Sequence, residues 1–128
     1  MVLRVVRLGA SRAPDEGLRI GTVRRPPRGV PKARFARDDW YDVWYPNLAP
    51  SVETMKLGQG AANEAQWATF RRKYRAEMAA PEAARSIALL AALSHSSNLS
   101  VGCYCENEAR CHRSVLRELL VEAGAKLA

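Results

Sequence analysis

Apolar and polar positions alternate along the chain in short β-type runs first and longer helical runs later. Val2–Leu8 (VLRVVRL) is short and rich in β-branched residues, which predicts a strand, followed by a turn over Gly9–Gly17. Leu18–Arg24 predicts a second short strand on the same pattern. The stretch Arg25-Pro26-Pro27-Arg28-Gly29-Val30-Pro31 must be loop, because its prolines remove backbone donors and fix φ while Gly29 permits a turn. Residues 38–50 mix acids with Trp40, Tyr41, Trp44 and Tyr45 and read as irregular structure with one short helical turn, the aromatics packing on the core. The first clear helix starts at a capping Asn63, with Trp67, Phe70, Tyr74 and Met78 at spacings of three and four, opposite Arg71, Arg72 and Arg75. Such a stripe is core. Pro81 opens a second helix with Ala84, Ile87, Ala88 and Ala91 behind it, ending over Ser94–Asn98. Leu99–Cys105 is an apolar run fitting a buried strand, residues 106–110 are a polar loop, and from Cys111 a helical face of Val115, Leu116, Leu119 and Leu120 runs to a stop at Gly124. Strands separated by helical patterns give an α/β fold: one domain over residues 1–128, a compact sandwich of a small, mostly parallel or mixed sheet flanked by helices. Ligands in such sheets sit at the carboxyl ends of strands, where Cys105 falls.

Composition narrows the class. With 48% hydrophobic and 26% charged residues in 128, the chain is globular and large enough for a core. The longest apolar run, Ile87–Leu93, is far short of the roughly 18 residues of a membrane span. Arginines interrupt residues 1–10 where a signal peptide needs an apolar stretch, so a cytoplasmic protein is expected. The three cysteines sit together at 103, 105 and 111, unlike a secreted disulfide framework. The net charge of +7 is uneven. Residues 1–37 hold ten Lys or Arg, nine of them Arg, against Asp15 and Glu16, whereas residues 38–128 are close to neutral. Guanidinium forks fit phosphate or carboxylate, so the basic third either meets an anionic partner or serves solubility alone.

Chemistry concentrates in Cys103-Tyr104-Cys105-Glu106-Asn107-Glu108-Ala109-Arg110-Cys111-His112-Arg113. One reading makes Cys105 a nucleophile at the strand end, its thiolate favoured by helix N-terminal amides and by Arg110 or Arg113, with His112 moving protons. Cys105 and Arg110 have the Cys-x4-Arg spacing of rhodanese-like sulfur carriers. A second reading puts zinc on Cys103, Cys105, Cys111 and His112, against which stand the missing Cys-x2–4-Cys knuckles and the adjacency of Cys111 and His112. A third is a reversible Cys105–Cys111 disulfide acting as a redox switch. In the fourth, Cys103 is a small buried hydrophobe, Cys111 packs the helix start, and only His112 and Arg113 face an anion. His95 lies in a Ser-rich turn and reads as solvated.

The chain resembles the DUF488 family of small bacterial and archaeal proteins through most of its length. Arg24-Arg25-Pro26-Pro27-Arg28-Gly29 is similar to the family's Asp-Arg-x-x-Pro-Arg-Gly segment, with Val23 where the family commonly has Asp. Asp42–Ser51 (DVWYPNLAPS) resembles its Trp and Leu-Ala-Pro-Ser stretch, Gln66–Met78 its aromatic helix, and Cys105–Arg113 the Cys-x5-Cys-His-Arg signature of one branch. The resemblance implies a compact α/β fold in which the two motif loops converge on one pocket. Arg24, Arg28, Arg110 and Arg113 are then expected to bind a phosphate- or nucleotide-like anion, with Cys105 as nucleophile and His112 as acid or base in a transfer or hydrolysis. No metal or cofactor is assigned. The alternative is a nucleic-acid-binding module using the basic third, with Trp40, Tyr41 and Tyr45 stacking on bases.

Overall fold

The computed structural model describes all 128 residues. Strands β1 (Leu3–Arg7), β2 (Leu18–Gly21), β3 (Val43–Trp44) and β4 (Leu99–Cys103) form one parallel sheet in the order β1-β4-β2-β3. Leu3 and Leu18 flank Leu99 in register, and Val5 and Ile20 flank Val101. β4, in the middle, is buried at every position, which is why its sequence is a continuous run of small and apolar residues. It ends at Cys103, two residues before the expected boundary.

Helices α1 (Val52–Gln59), α2 (Glu64–Met78), α3 (Pro81–Leu93) and α4 (His112–Glu122) complete the fold. One sheet face, carrying Leu3, Ile20, Leu99 and Val101, shares a core with Phe70, Tyr74, Met78, Ile87, Val115, Leu116 and Leu120. The expected flanking helices thus lie on one side. Loops cover the other face, because residues 8–17 return the chain from β1 to β2 without a helix. There Arg19, fully buried, donates to Glu16 through Nε at 2.7 Å and Nη2 at 2.9 Å, and through Nη1 to the carbonyls of Ala10 and Asp39. Ser100 of β4 donates to the same Glu16 carboxylate at 2.7 Å. An arginine in the basic third is therefore core, fully hydrogen-bonded as burial of charge requires.

One element is added and two local expectations are corrected. α1 lies where the sequence pattern predicts no element; it is a helix capped by Ser51, whose Oγ accepts from the Thr54 amide. The Glu77 carboxylate of α2 anchors that start, accepting from the Ser51 amide, Ser51 Oγ and Thr54 Oγ1. Ser51→Ala should lower stability by about 1 kcal/mol, the usual value of an N-cap, seen as an earlier thermal midpoint with unchanged cleft chemistry. The buried face of α3 is Ala83, Ile87, Leu90 and Ala91, so Ala84 and Ala88 are exposed. Of the aromatics in 38–50, Tyr41 is buried over Gly21, where a Cβ would meet its ring at 2.4 Å, but Trp44 stays exposed and donates Nε1–H to the Val23 carbonyl.

The chain ends meet. The Leu3 amide donates to the Lys126 carbonyl at 2.8 Å and the Ala128 amide to the Leu3 carbonyl at 3.0 Å, so the tail lies along the outer edge of β1. No helix is long and apolar enough to cross a membrane.

Candidate functional site

A cleft of about 900 Å³ opens where β1, β2 and β4 end. That volume lies within the range of small-molecule sites. Its walls are the strand exits at Arg7, Leu8, Val23 and Cys103, the Arg24–Arg28 loop, one side of α1, Trp67 and Phe70 of α2, and the Tyr104–Cys105 and Arg110–His112 segments. Six of the lining residues are Arg or Lys, and none is Asp or Glu. Prolines set this up at one edge: Pro26 and Pro27 deny the Arg24–Arg28 segment a strand, and it arches across the cleft. Tyr104 fixes the arch, its hydroxyl donating to the Arg25 carbonyl at 2.8 Å while its ring meets Trp40 edge-on at 5.9 Å.

Of the expected site residues, Cys105, His112, Arg24, Arg28 and Arg110 surround this one cleft, so the two motif loops do come together. Their tasks differ from expectation. Arg24 spends Nε and Nη2 on the carbonyls of Ala49 and Pro50, tying the loop to the start of α1. Arg110 pairs with Glu64 at 2.5 Å and lies 5.5 Å over the Trp67 ring. Arg28 is exposed and makes no ion pair, and the same holds for Arg25 and Lys56, two lining cations that sequence reasoning missed. A signal for Lys56 existed in the capping Ser51 ahead of Val52 and Met55.

Arg113 does not line the cleft. It is 3% exposed, and its Nη2 donates to the Cys105 carbonyl at 2.5 Å from behind the loop. It has no carboxylate partner in an ion pair, and its Nε has no hydrogen-bond partner. Burial opposes its charge, but the sulfurs of Cys103 and Cys111 hold its pKa up. A buried cation without a carboxylate partner needs anionic charge nearby, and the depressed thiol of Cys105, whose carbonyl Arg113 holds, supplies it.

The three thiols cluster. Cys103 and Cys111 are buried at the end of β4 and at the cap of α4, while Cys105 is exposed. Hydrogen bonds from Cys103 and then Cys111, with the Arg113 charge behind, hold Cys105 far below the ordinary thiol range against its partial burial. Cys103 is pushed up by serving as donor to both neighbours and by burial. For Cys111 the bond from Cys103 is outweighed by its own bond to Cys105 and by burial, so it too is raised.

His112 is placed by a different constraint. Its Nε2 lies 2.8 Å from the Thr22 carbonyl, which can only accept, so Nε2 carries the hydrogen and Nδ1 is a free lone pair. Burial pulls its pKa down to about 4, against the Thr22 carbonyl, and the imidazole is neutral near pH 7. Nδ1 sits 3.9 Å from the Cys111 sulfur, and no hydrogen bond joins His112 to Cys105. It offers an acceptor here and no proton. The sulfurs of Cys103 and Cys111 and a ring nitrogen of His112 all lie within 4.8 Å of one another. Adjacency of Cys111 and His112 in sequence is therefore no obstacle to their donor atoms meeting. A Cys105–Cys111 disulfide is not formed, all three cysteines being free, and His95 is exposed with Nε2 2.8 Å from the Gly124 carbonyl. The stacking surface of the nucleic-acid alternative is incomplete: Trp40 lines the cleft, but Tyr41 is 2% exposed and Tyr45 packs on the main core with its hydroxyl on Ser86.

No curated protein and no solved structure matches the chain. A family model described as the active DUF488-N3 subclade matches residues 3–124. The match runs from the first residue of β1 past the end of α4, taking in every strand, every helix and both loops of the cleft, and the chain belongs to the DUF488 family.

Proposed function

We propose that the cleft binds an anionic substrate, phosphate-bearing or nucleotide-like, and that Cys105 is the nucleophile in a transfer or hydrolysis on it. One observation carries the reading: the single exposed thiol of the cluster opens into a cleft with six cationic side chains and no acid. Arg25, Arg28 and Lys56, free of ion pairs, are the groups available to an incoming phosphate, whether on a nucleotide or on a nucleic acid strand. Arg113, behind the loop, fixes the Cys105 carbonyl and so positions the nucleophile. In the first step the Cys105 sulfur bonds to the electrophilic centre and the leaving group departs with the bonding pair. Water or a second acceptor then attacks that centre and returns the thiolate. With water, the net change is addition of H and OH across the cleaved bond. His112, neutral and lining the same cleft, is the base for the attacking water, acting through Nδ1.

Competitive alkylation tests this reading. Iodoacetate should label Cys105 first, and its rate relative to neutral iodoacetamide should exceed the same ratio for free cysteine, because the cleft concentrates anions. Inorganic phosphate should slow it, and an Arg25→Ala, Arg28→Ala double variant should remove most of the iodoacetate preference. A ratio equal to that of free cysteine, or labelling spread evenly over three cysteines, would sink the proposal.

A further inference from the structure

We propose that Cys103, Cys111 and His112 form a site for a thiophilic divalent cation, with zinc as the ion their donor set fits and Cys105 as its fourth ligand. Zinc bonds of about 2.3 Å to sulfur and about 2.0–2.1 Å to nitrogen place tetrahedral donor atoms roughly 3.6–3.8 Å apart. The Cys111 sulfur and His112 Nδ1 are 3.9 Å apart, and all three donors lie within 4.8 Å of one another, so a cation needs only small side-chain adjustments to sit between them.

Two further features fit a cation. Metal-ligating histidines commonly donate their second ring N–H to a carbonyl, which fixes the tautomer and aims the lone pair. His112 does this with Thr22. The donors also stand on rigid elements: Cys103 ends the central strand, Cys111 caps α4 and His112 begins it. Cys105, two residues beyond Cys103 and exposed on the wall of the cleft, is the thiol on hand for the fourth tetrahedral position. Zinc with three thiolates and a neutral imidazole carries one negative charge, which the buried Arg113, lacking a carboxylate partner, would balance. Loading would release the thiol protons to solvent and turn Cys105 from a free nucleophile into a ligand, so the inference builds on the proposed role of Cys105 and adds a means of withholding it.

The test uses the full chain stripped with a chelator and titrated with Zn²⁺ against a chromophoric competitor, with Co²⁺ as a spectroscopic substitute. Expected are one equivalent bound, a tetrahedral Co²⁺ spectrum with thiolate-to-metal charge transfer, and affinity at least tenfold lower in Cys111→Ser and in His112→Ala. The charge-transfer band identifies sulfur ligation in the unmodified chain, so the result stands even if a variant folds poorly. No stoichiometric binding, a Co²⁺ spectrum without thiolate ligation, or full affinity in both folded variants would overturn the site. Alkylation separates this from the preceding proposal. Fast iodoacetate labelling of stripped protein without zinc binding defeats the metal site alone, and tight zinc binding with an unreactive Cys105 in stripped protein defeats the nucleophile alone.

Discussion

Glu16→Ala should destabilise the protein by roughly 3–5 kcal/mol near neutral pH, the range for breaking a buried ion pair from one side. The variant strands the guanidinium of Arg19, a fully buried residue, with only the carbonyls of Ala10 and Asp39, and leaves Ser100 in the central strand without its acceptor. The loss should also depend on pH, and its sign follows from the carboxyl group. Burial alone would raise the Glu16 pKa, but the bonds from Arg19 and Ser100, the Arg19 charge and the Ala13 amide outweigh it and hold the group down to about 2, against 4.5 in an ordinary setting. A carboxyl depressed by folding contributes stability that is fully present above its unfolded value and disappears as pH falls through its folded one. The difference between the native chain and Glu16→Ala should therefore be largest above about pH 5 and shrink between pH 4.5 and 2. Asp42, Glu77 and Glu108 are depressed too, so the difference between the two proteins, not the native curve alone, isolates Glu16. Urea unfolding at pH 7, 4 and 2.5 reads it. A loss under 1 kcal/mol, or one that stays constant with pH, would show that the pair is not a structural element.

Gly17→Ala should be more damaging still, costing upward of about 3 kcal/mol or preventing folding. Gly17 has φ +78°, where an L side chain is strained by about 1–3 kcal/mol. Space is the larger obstacle, since an added Cβ would stand 2.0 Å from the Asn98 carbonyl oxygen and 2.7 Å from its carbon. That backbone leads into β4, and the Asn98 side chain accepts the Val2 amide at 2.9 Å, so it cannot yield without disturbing two strands. Gly124→Ala is the matched control: φ is +93° but nothing lies within 4 Å, leaving the conformational cost alone. Denaturation midpoints should fall far more for Gly17→Ala than for Gly124→Ala, and equal losses would refute the clash.

These two positions also mark where the sequence stops being informative. β4 and the stripe on α2 are legible because a buried central strand and an amphipathic helix each impose a period on side-chain polarity. α1 is too short for a period to stand out: it has eight residues, and Thr54 alone among them is buried. Its start is held by Glu77, whose carboxylate comes from another helix, and nothing within residues 51–59 announces that partner. Arg19 and Arg113 are indistinguishable by residue type from Arg28, yet the first two are buried and the third faces solvent. A guanidinium is placed by the carbonyls and carboxylates around it, and those are brought together only by the fold. The meeting of Cys105 and His112 with the Arg24–Arg28 loop could be anticipated because both segments leave strands at the same edge of a parallel sheet. Which of those arginines remain free for an anion could not, because Arg24 and Arg110 are occupied by Pro50 and Glu64, both distant in sequence.

The pairing of Leu3 with Leu127 has a practical consequence for handling the molecule. All strands run the same way, so the start of β1 and the tail beside it lie at the end of the sheet away from the cleft. A label, tether or surface linkage attached at residue 1 or residue 128 leaves the cleft open. A short linker joining those two ends, with new ends cut at exposed Gly29 in the arginine loop, would give a circular permutant with the same sheet and a loosened cleft rim.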